Sequence, residues 1–589
     1  MRKNWPWLLA LAAVTAIAAF LRFYLLRRLP PGLWLDEAMN GINALEALRS
    51  GVFRVFYPEN GGREGLFINL QALSIAVFGA EPWALRLVSA VIGTLTVPAM
   101  YFLSLELFGA DRRSETGRAT TVRWLALASA FFAAVSLWHV MASRIGLRVV
   151  AAPFFLTWSM FLLLRTLNAA AADEKKNIWP GALAAGLVYG LGFHSYIAYR
   201  ITPPLVLLVF WVYRRQYRGP AAVRRKISSI FLWFSAATAA AVSPLVVYFF
   251  QHPQTLMSRV SEVALWSKPD WWVIGIVNPL KIANMFFVFG DLNWRSNFSG
   301  RPELYWPLGL LFIVGAALAV SLAAGRRAGS AGTDLIKPSR RRLIFIGAVC
   351  SLAPLLLVWI LGRLRPQEIW LLIFSVLLLL PGLVLSQTAR LNDGSPAEHP
   401  LGDAAGRRAA VICLGWLLLA AVPPILSAED MPHAPRSLLM APAVFILAAL
   451  GAVALSGLFI QRRPDRTRTI AVIRLTVAAA ALVLLIHTYQ TYFLLWSKDP
   501  EIQRVFLQDW IRVSAALNSQ PESRQKYVIV SDPDHVLKDP VALLYPIMFL
   551  TDTYSAKEQR RKNLHYLLPG NDTPIPGEAF TVSLDAINF

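Results

Sequence analysis

Cysteine is nearly absent: Cys350 and Cys413 are the two in 589 residues, and each sits inside an apolar run. That excludes a disulfide framework and a metal-thiolate site, and leaves both as small hydrophobic residues of a core. Charge is scarce too. Only 16% of the chain is Asp, Glu, Lys or Arg, well below the roughly 25% of an ordinary soluble domain. Acids are the scarcer sign, 35 against 57 Lys and Arg, for a formal charge of +22. In a soluble chain that excess would raise the question of nucleic acid. Here the basic residues fall in short blocks between apolar stretches, as in Arg214, Arg215, Arg218, Arg224, Arg225 and Lys226, or Arg340, Arg341 and Arg342. Such blocks read as cytoplasmic loops of a membrane protein, and no nucleic-acid partner is expected. No two histidines have metal-ligand spacing, and neither an internal repeat nor a low-complexity segment is found. The glycine-rich GRRAGSAG lacks both the Lys-Ser/Thr ending of a P-loop and a strand before it, so no nucleotide site is expected.

What the chain has instead is apolar length, 56% of its residues. A helix needs about 20 apolar residues to cross a bilayer core, and about 13 runs qualify. They lie near 5–25, 84–108, 123–141, 149–165, 180–195, 201–213, 228–250, 306–324, 343–361, 368–387, 409–427, 437–460 and 470–495. The first run is long enough to span and is followed by many others, so it reads as a retained helix, not a cleaved signal. With the N-terminus inside, the loops near 109–122, 166–179, 214–227, 325–342, 388–408 and 461–469 fall in the cytoplasm and hold most of the basic blocks. The opposite face receives two long loops, roughly 26–83 and 251–305, and the tail from about 497. In the first loop, AMNGINALEALRSG and EGLFINLQALSIAVFG carry helical periodicity and predict interfacial helices anchored by Trp34, Phe53, Phe56 and Phe67. The tail predicts an amphipathic helix in SKDPEIQRVFLQDWIRVSAALNS and a short strand in KYVIV, hence a small extracytoplasmic α/β domain over 497–589 beside a transmembrane domain over 1–496.

Charges outside the cytoplasmic blocks collect at helix ends on the outer face: Asp36, Glu37, Arg63, Glu64, Arg144, Arg148, His194, Arg200, His252, Arg301, Arg363, Arg365, His433 and Arg436. Cations are disfavoured on that side, so each needs a reason. Asp36 and Glu37 are consecutive and point about 100° apart on a helix, which separates their tasks. One suits a general base while its neighbour holds the loop, a substrate or a cation; Asp36 also suits a helix N-cap. Arg144 and Arg148, four apart in MASRIGLRVV, are expected on one helical face, where a phosphate would relieve their repulsion, or where each would snorkel to headgroups. HSYIAYR gathers His194, Tyr196, Tyr199 and Arg200 at a polar mouth, although tyrosines also populate the aromatic belt. GREG exposes Arg63 and Glu64 on a flexible turn. MPHAPRS places His433 and Arg436 at the entry of a late helix, as ligands or as loop caps.

The Asp-Glu pair after a first helix, then RLVSAVIGTLTVPAMYFLSLELFG, SRIGLR, the YIAYR turn and a late PR turn, together resemble the integral-membrane C-type glycosyltransferases (GT-C). The likeness is to the bacterial protein O-mannosyltransferase and aminoarabinose-transferase-like group in particular. It covers roughly 1–490 and leaves the tail unassigned. The resemblance implies an all-α polytopic membrane fold and a sugar donor on polyprenyl phosphate. It also implies an acceptor hydroxyl on protein, lipid or glycan, and inverting transfer at the extracytoplasmic face of the cell membrane. Asp36 would be the base, with Glu37 beside it, and Arg63, Arg144, Arg148 and Arg200 would stabilise the departing phosphate. Glu64, His194, Tyr196, Tyr199, His433 and Arg436 would bind substrate; GREG departs from the usual family residues around Glu64. A divalent cation occurs in some such enzymes, and no cofactor is assigned. The rival readings are a transporter or flippase of lipid-linked sugars, which would carry charges near the bilayer midplane, and a glycan polymerase or ligase.

Overall fold

The computed structural model describes residues 5–109, 117–172, 177–217, 221–256, 264–324, 401, 403–428, 431–461, 466–531, 540–569 and 574–585. Among these, eight helical segments are long and apolar enough to cross a membrane, which makes the chain a multi-pass membrane protein. They include α1 (Trp5–Phe23), α4 (Pro82–Leu107), α7 (Ala151–Ala172) and α10 (Ala221–Gln251). The expected spans near 343–361 and 368–387, with Cys350, Arg363, Arg365 and the block 340–342, lie outside the described residues. The runs near 123–141, 180–195 and 201–213 are helical but are not among the eight. They form α5 (Gly117–Val135) with α6 (Leu137–Ala142), α8 (Trp179–Gly192) and α9 (Pro203–Gln216). The YIAYR turn is the reason for the short pair. Residues Ile197–Ile201 tighten into a 3₁₀ turn, and Pro203 then opens α9 at a position where its missing N–H has no intrahelical partner to lose.

In the bundle α4 packs against α1, α5 and α7, α8 lies between α7 and α10, and the helix Trp306–Ala323 lies along Ala441–Gln461. Helices in lipid gain little from hydrophobicity against one another, so close contact decides which pairs form. A methyl at Gly315 would stand 1.7 Å from the Leu447 carbonyl oxygen, and one at Gly451 would stand 2.0 Å from that of Leu311. Backbone touches backbone there, and no side chain fits between.

At one end of the bundle the expected helices of the first long loop are present as α2 (Leu35–Ser50) and α3 (Gly65–Phe78). Between them β1 (Phe56–Tyr57) pairs antiparallel with β2 (Arg63–Glu64). Phe56 and Phe67 do not serve as interfacial anchors: both are buried. The apolar side of α2 has a partner that its own loop does not supply. Ala38, Met39, Ile42 and Ala44 share a hydrophobic cluster with Leu517, Val528, Ile547 and Phe549 of the tail. The tail's amphipathic helix is broken, into Pro500–Val505 and Gln508–Ser519, at Leu507 in the left-handed region (φ 56°). KYVIV forms β3 (Lys526–Ser531), the central strand of a parallel sheet with β4 (Leu564–Leu567) on one side and β5 (Phe580–Asp585) on the other.

Candidate active site

The first turn of α2 sorts the two adjacent acids. Glu37 is fully buried. Its carboxylate accepts Arg86 Nε at 2.8 Å and Nη2 at 2.9 Å, the Gly146 N–H at 2.7 Å and the Trp34 N–H at 3.3 Å. With both oxygens so engaged, Glu37 is bound up within the protein and does not line the cavity that its neighbour borders. It caps α2 by reaching back to Trp34 and ties that helix to α4 and to the SRIGLR turn. Asp36 is therefore not the cap. Turned away by the helical repeat, it borders a cavity of about 470 Å³. One oxygen accepts Asn60 Nδ2 at 2.6 Å, and the other has no hydrogen-bond partner among the described residues.

The expected arginine pair also divides. Helix α6 ends at Ala142 and Arg148 opens a separate 3₁₀ turn, so Arg144 and Arg148 share no helical face. The glycine of SRIGLR was the visible warning. Arg144 is buried, lies over the Tyr492 and Phe493 rings, and donates to the backbone carbonyls of Leu21, Arg22, Tyr24 and Leu29. It cements the end of α1 and is not among the residues that line the cavity. Arg148 lines the cavity, beside the Tyr196 ring, with Nε 3.1 Å from Glu64 Oε2. The second oxygen of Glu64 takes Arg200 Nη2 at 3.2 Å. Glu64 is buried and, like Arg200, is not among the lining residues, so from behind the wall it pairs with Arg148 of the lining and with Arg200.

Arg63 reaches the cavity from β2, its guanidinium held by the side-chain oxygens of Asn40 and Asn43. Burial, with Arg148 close by, brings its pKa down to about 10. His433 and Arg436 also line the cavity, Arg436 with Nη1 on the Ser427 hydroxyl. His194 and Tyr199 do not: His194 binds the Ala241 carbonyl of α10 at 2.9 Å, and Tyr199 is wholly buried among Tyr189 and Phe193. Both hold helices together. A residue that the sequence reading missed lines the cavity together with Asp36. Arg295, in the second long loop, lies with its guanidinium 3.6 Å from the centre of the Trp34 ring, Nε on Asn293 at 3.1 Å, and no hydrogen-bond partner for its terminal nitrogens among the described residues. It lies in a segment without helical periodicity, and only its cationic character in a long loop between spans could have flagged it.

Among the lining residues one carboxylate, Asp36, meets four guanidinium groups, those of Arg63, Arg148, Arg295 and Arg436. The lining is also partly apolar, with Ile197 and Ile201, Val422 and Leu426, and Ala264 of the segment that pairs with Ser427. Such a chamber suits an anion attached to a hydrocarbon. It is poorly suited to a cation, and among the described residues no group of three or more His, Cys, Asp and Glu is placed to hold a metal.

No family model and no curated protein matches the sequence. Solved structures do. The oligosaccharyltransferase of Archaeoglobus fulgidus, tethered to an acceptor peptide containing the NVT sequon, aligns with a TM-score of 0.50 at 13% identity. The alignment covers 96% of this chain and 64% of that one. The chain has a C-type glycosyltransferase fold. ArnT of Cupriavidus metallidurans bound to undecaprenyl phosphate aligns at 14% identity over 93% of this chain and 85% of its own, with a TM-score of 0.41 that decides nothing further. This chain thus spans about two thirds of the length of the archaeal enzyme, with the C-type fold running through nearly all of it.

Proposed function

We propose that the protein moves a single sugar from a polyprenyl-phosphate donor to an acceptor hydroxyl, at the extracytoplasmic end of the bundle and with inversion. The observation that carries this reading is the cavity itself, whose lining combines one carboxylate and four guanidinium groups with apolar side chains. The prenyl chain would lie along Ile197, Ile201, Val422 and Leu426, and its phosphate would face Arg148 and Arg295, with Arg63 and Arg436 adding positive charge. Asp36 takes the proton of the acceptor hydroxyl. That oxygen forms a bond to the anomeric carbon from the face opposite the phosphate. The bond from the anomeric carbon to the phosphate oxygen breaks, its electron pair leaving with the lipid phosphate. Charge grows on that phosphate as the bond breaks, and guanidinium groups already in place stabilise it without reorganising. Tyr196 borders the sugar.

The donor set at Asp36 does not fit a divalent cation: Asn60 is its hydrogen-bond partner and Arg63 and Arg295 stand near it. No step is assigned to a metal. The test is incubation of the purified protein with a panel of labelled prenyl-phosphate sugars, followed by identification of whatever receives label. Release of free prenyl phosphate together with a labelled acceptor is expected. A protein that moved the intact lipid-linked sugar across vesicle membranes and released none would be a transporter instead.

A further inference from the structure

Two segments distant in sequence supply parts of the cavity lining: a loop with Asn293 and Arg295, and the MPHAPRS turn with His433 and Arg436. One side chain joins them. Asp291 is 4% exposed, and its carboxylate accepts three hydrogen bonds of 2.8 Å each. Two come from its own loop, from the Asn293 N–H and the Ser296 hydroxyl. The third comes from the Ala434 N–H, 143 positions away. Pro432 and Pro435 have no N–H to offer, so Ala434 is a natural point for the turn to be held. The same residue is gripped from its other end, its carbonyl accepting the Trp138 indole N–H at 2.9 Å. The loop has its own second tie, Trp496 Nε1 to the Trp294 carbonyl at 2.8 Å.

We propose that Asp291 is a positioning residue that fixes Arg295 relative to His433 and Arg436, and so sets the shape of the anion-binding rim. The proposal rests on reading the cavity as the transferase site. A carboxylate is needed because three donors converge on two oxygens; an amide offers one acceptor oxygen and turns an NH₂ toward a donor. The charged groups around it are Arg295 and Glu303, whose Oε1 accepts the Asp291 N–H at 3.1 Å. Burial pushes both carboxyls up, and for Asp291 the donors oppose that push.

The test uses the full chain in lipid nanodiscs and two variants, Asp291→Asn and Trp138→Phe, the second keeping bulk while removing the grip on the Ala434 carbonyl. Amide hydrogen exchange is read over 291–297 and 433–437, and donor KM and kcat are measured with whichever prenyl-phosphate sugar the wild type uses. In Asp291→Asn both segments lose protection together and donor KM rises about tenfold, the effect expected of losing a hydrogen bond to a charged group. Trp138→Phe shifts the 433–437 segment and donor KM in the same direction. Loss of protection confined to 291–297, or a donor KM equal to wild type in both variants, overturns the proposal. If the wild type transfers no sugar, the transferase reading fails, and the exchange measurement still decides whether Asp291 couples the two segments.

Discussion

Asp36 and Glu37 differ by one position and by opposite fates, and the difference is burial. Asp36→Asn should abolish transfer, by at least about a hundredfold as expected when a general base is lost, while the melting temperature stays at the wild-type value. Turnover of free prenyl phosphate at a normal rate in that variant would remove the base. Glu37→Gln should behave in the reverse order. It leaves Arg86 buried with a neutral partner, and breaking a buried ion pair costs about 3–5 kcal/mol. A clear fall in melting temperature, with residual activity in the folded fraction, is the expected outcome. The sequence could pair the two acids and assign them separate work. It could not say which was which, since that depends on α4 bringing Arg86 to one side of α2.

The turn between α6 and α7 shows how an element decides a residue's role. Spacing of four implies a shared face only where the helix is unbroken, and the break after Ala142 sends Arg144 into the core and Arg148 to the cavity. Arg148→Ala should raise the donor KM about ten- to a hundredfold, as loss of a charge-assisted contact does. Arg144→Ala should lower thermal stability and leave donor KM unchanged. Equal effects of the two on donor KM would return both to the phosphate. The α2 helix offers a second case. A side chain at Gly41 would begin 2.5 Å from the Phe549 ring, so Gly41→Leu should unseat the tail from α2 and make residues 540–569 sensitive to limited proteolysis in otherwise intact protein. Continued resistance would show that this contact is not needed to hold the tail.

For the whole molecule, the decisive arrangement is that the first long loop, the late turn and the tail meet at one end of the bundle. Phe506 of the tail lines the same cavity as Asp36, so the tail forms part of the site wall. Sidedness can be read with single cysteines introduced after Cys350 and Cys413 are replaced. Cysteines at the exposed positions Ser50 and Glu522 should react with an impermeant maleimide on intact cells, and one at Arg215 should react only after permeabilisation. Labelling of Ser50 and Arg215 positions from the same side would undo the proposed orientation. The sequence by itself determined that this is a polytopic membrane protein with helices in its first long loop, because apolar length and periodicity are local properties of the chain. It also marked Asp36, Arg63, Arg148, His433 and Arg436, because ionisable groups at the ends of apolar runs are conspicuous. Only the tertiary structure decided that Glu37, Arg144, His194 and Tyr199 are buried against the protein itself and that Arg295 lines the cavity. Whether a charged side chain is spent on the protein or left for a ligand depends on what distant segments bring against it, and no spacing within one segment carries that information.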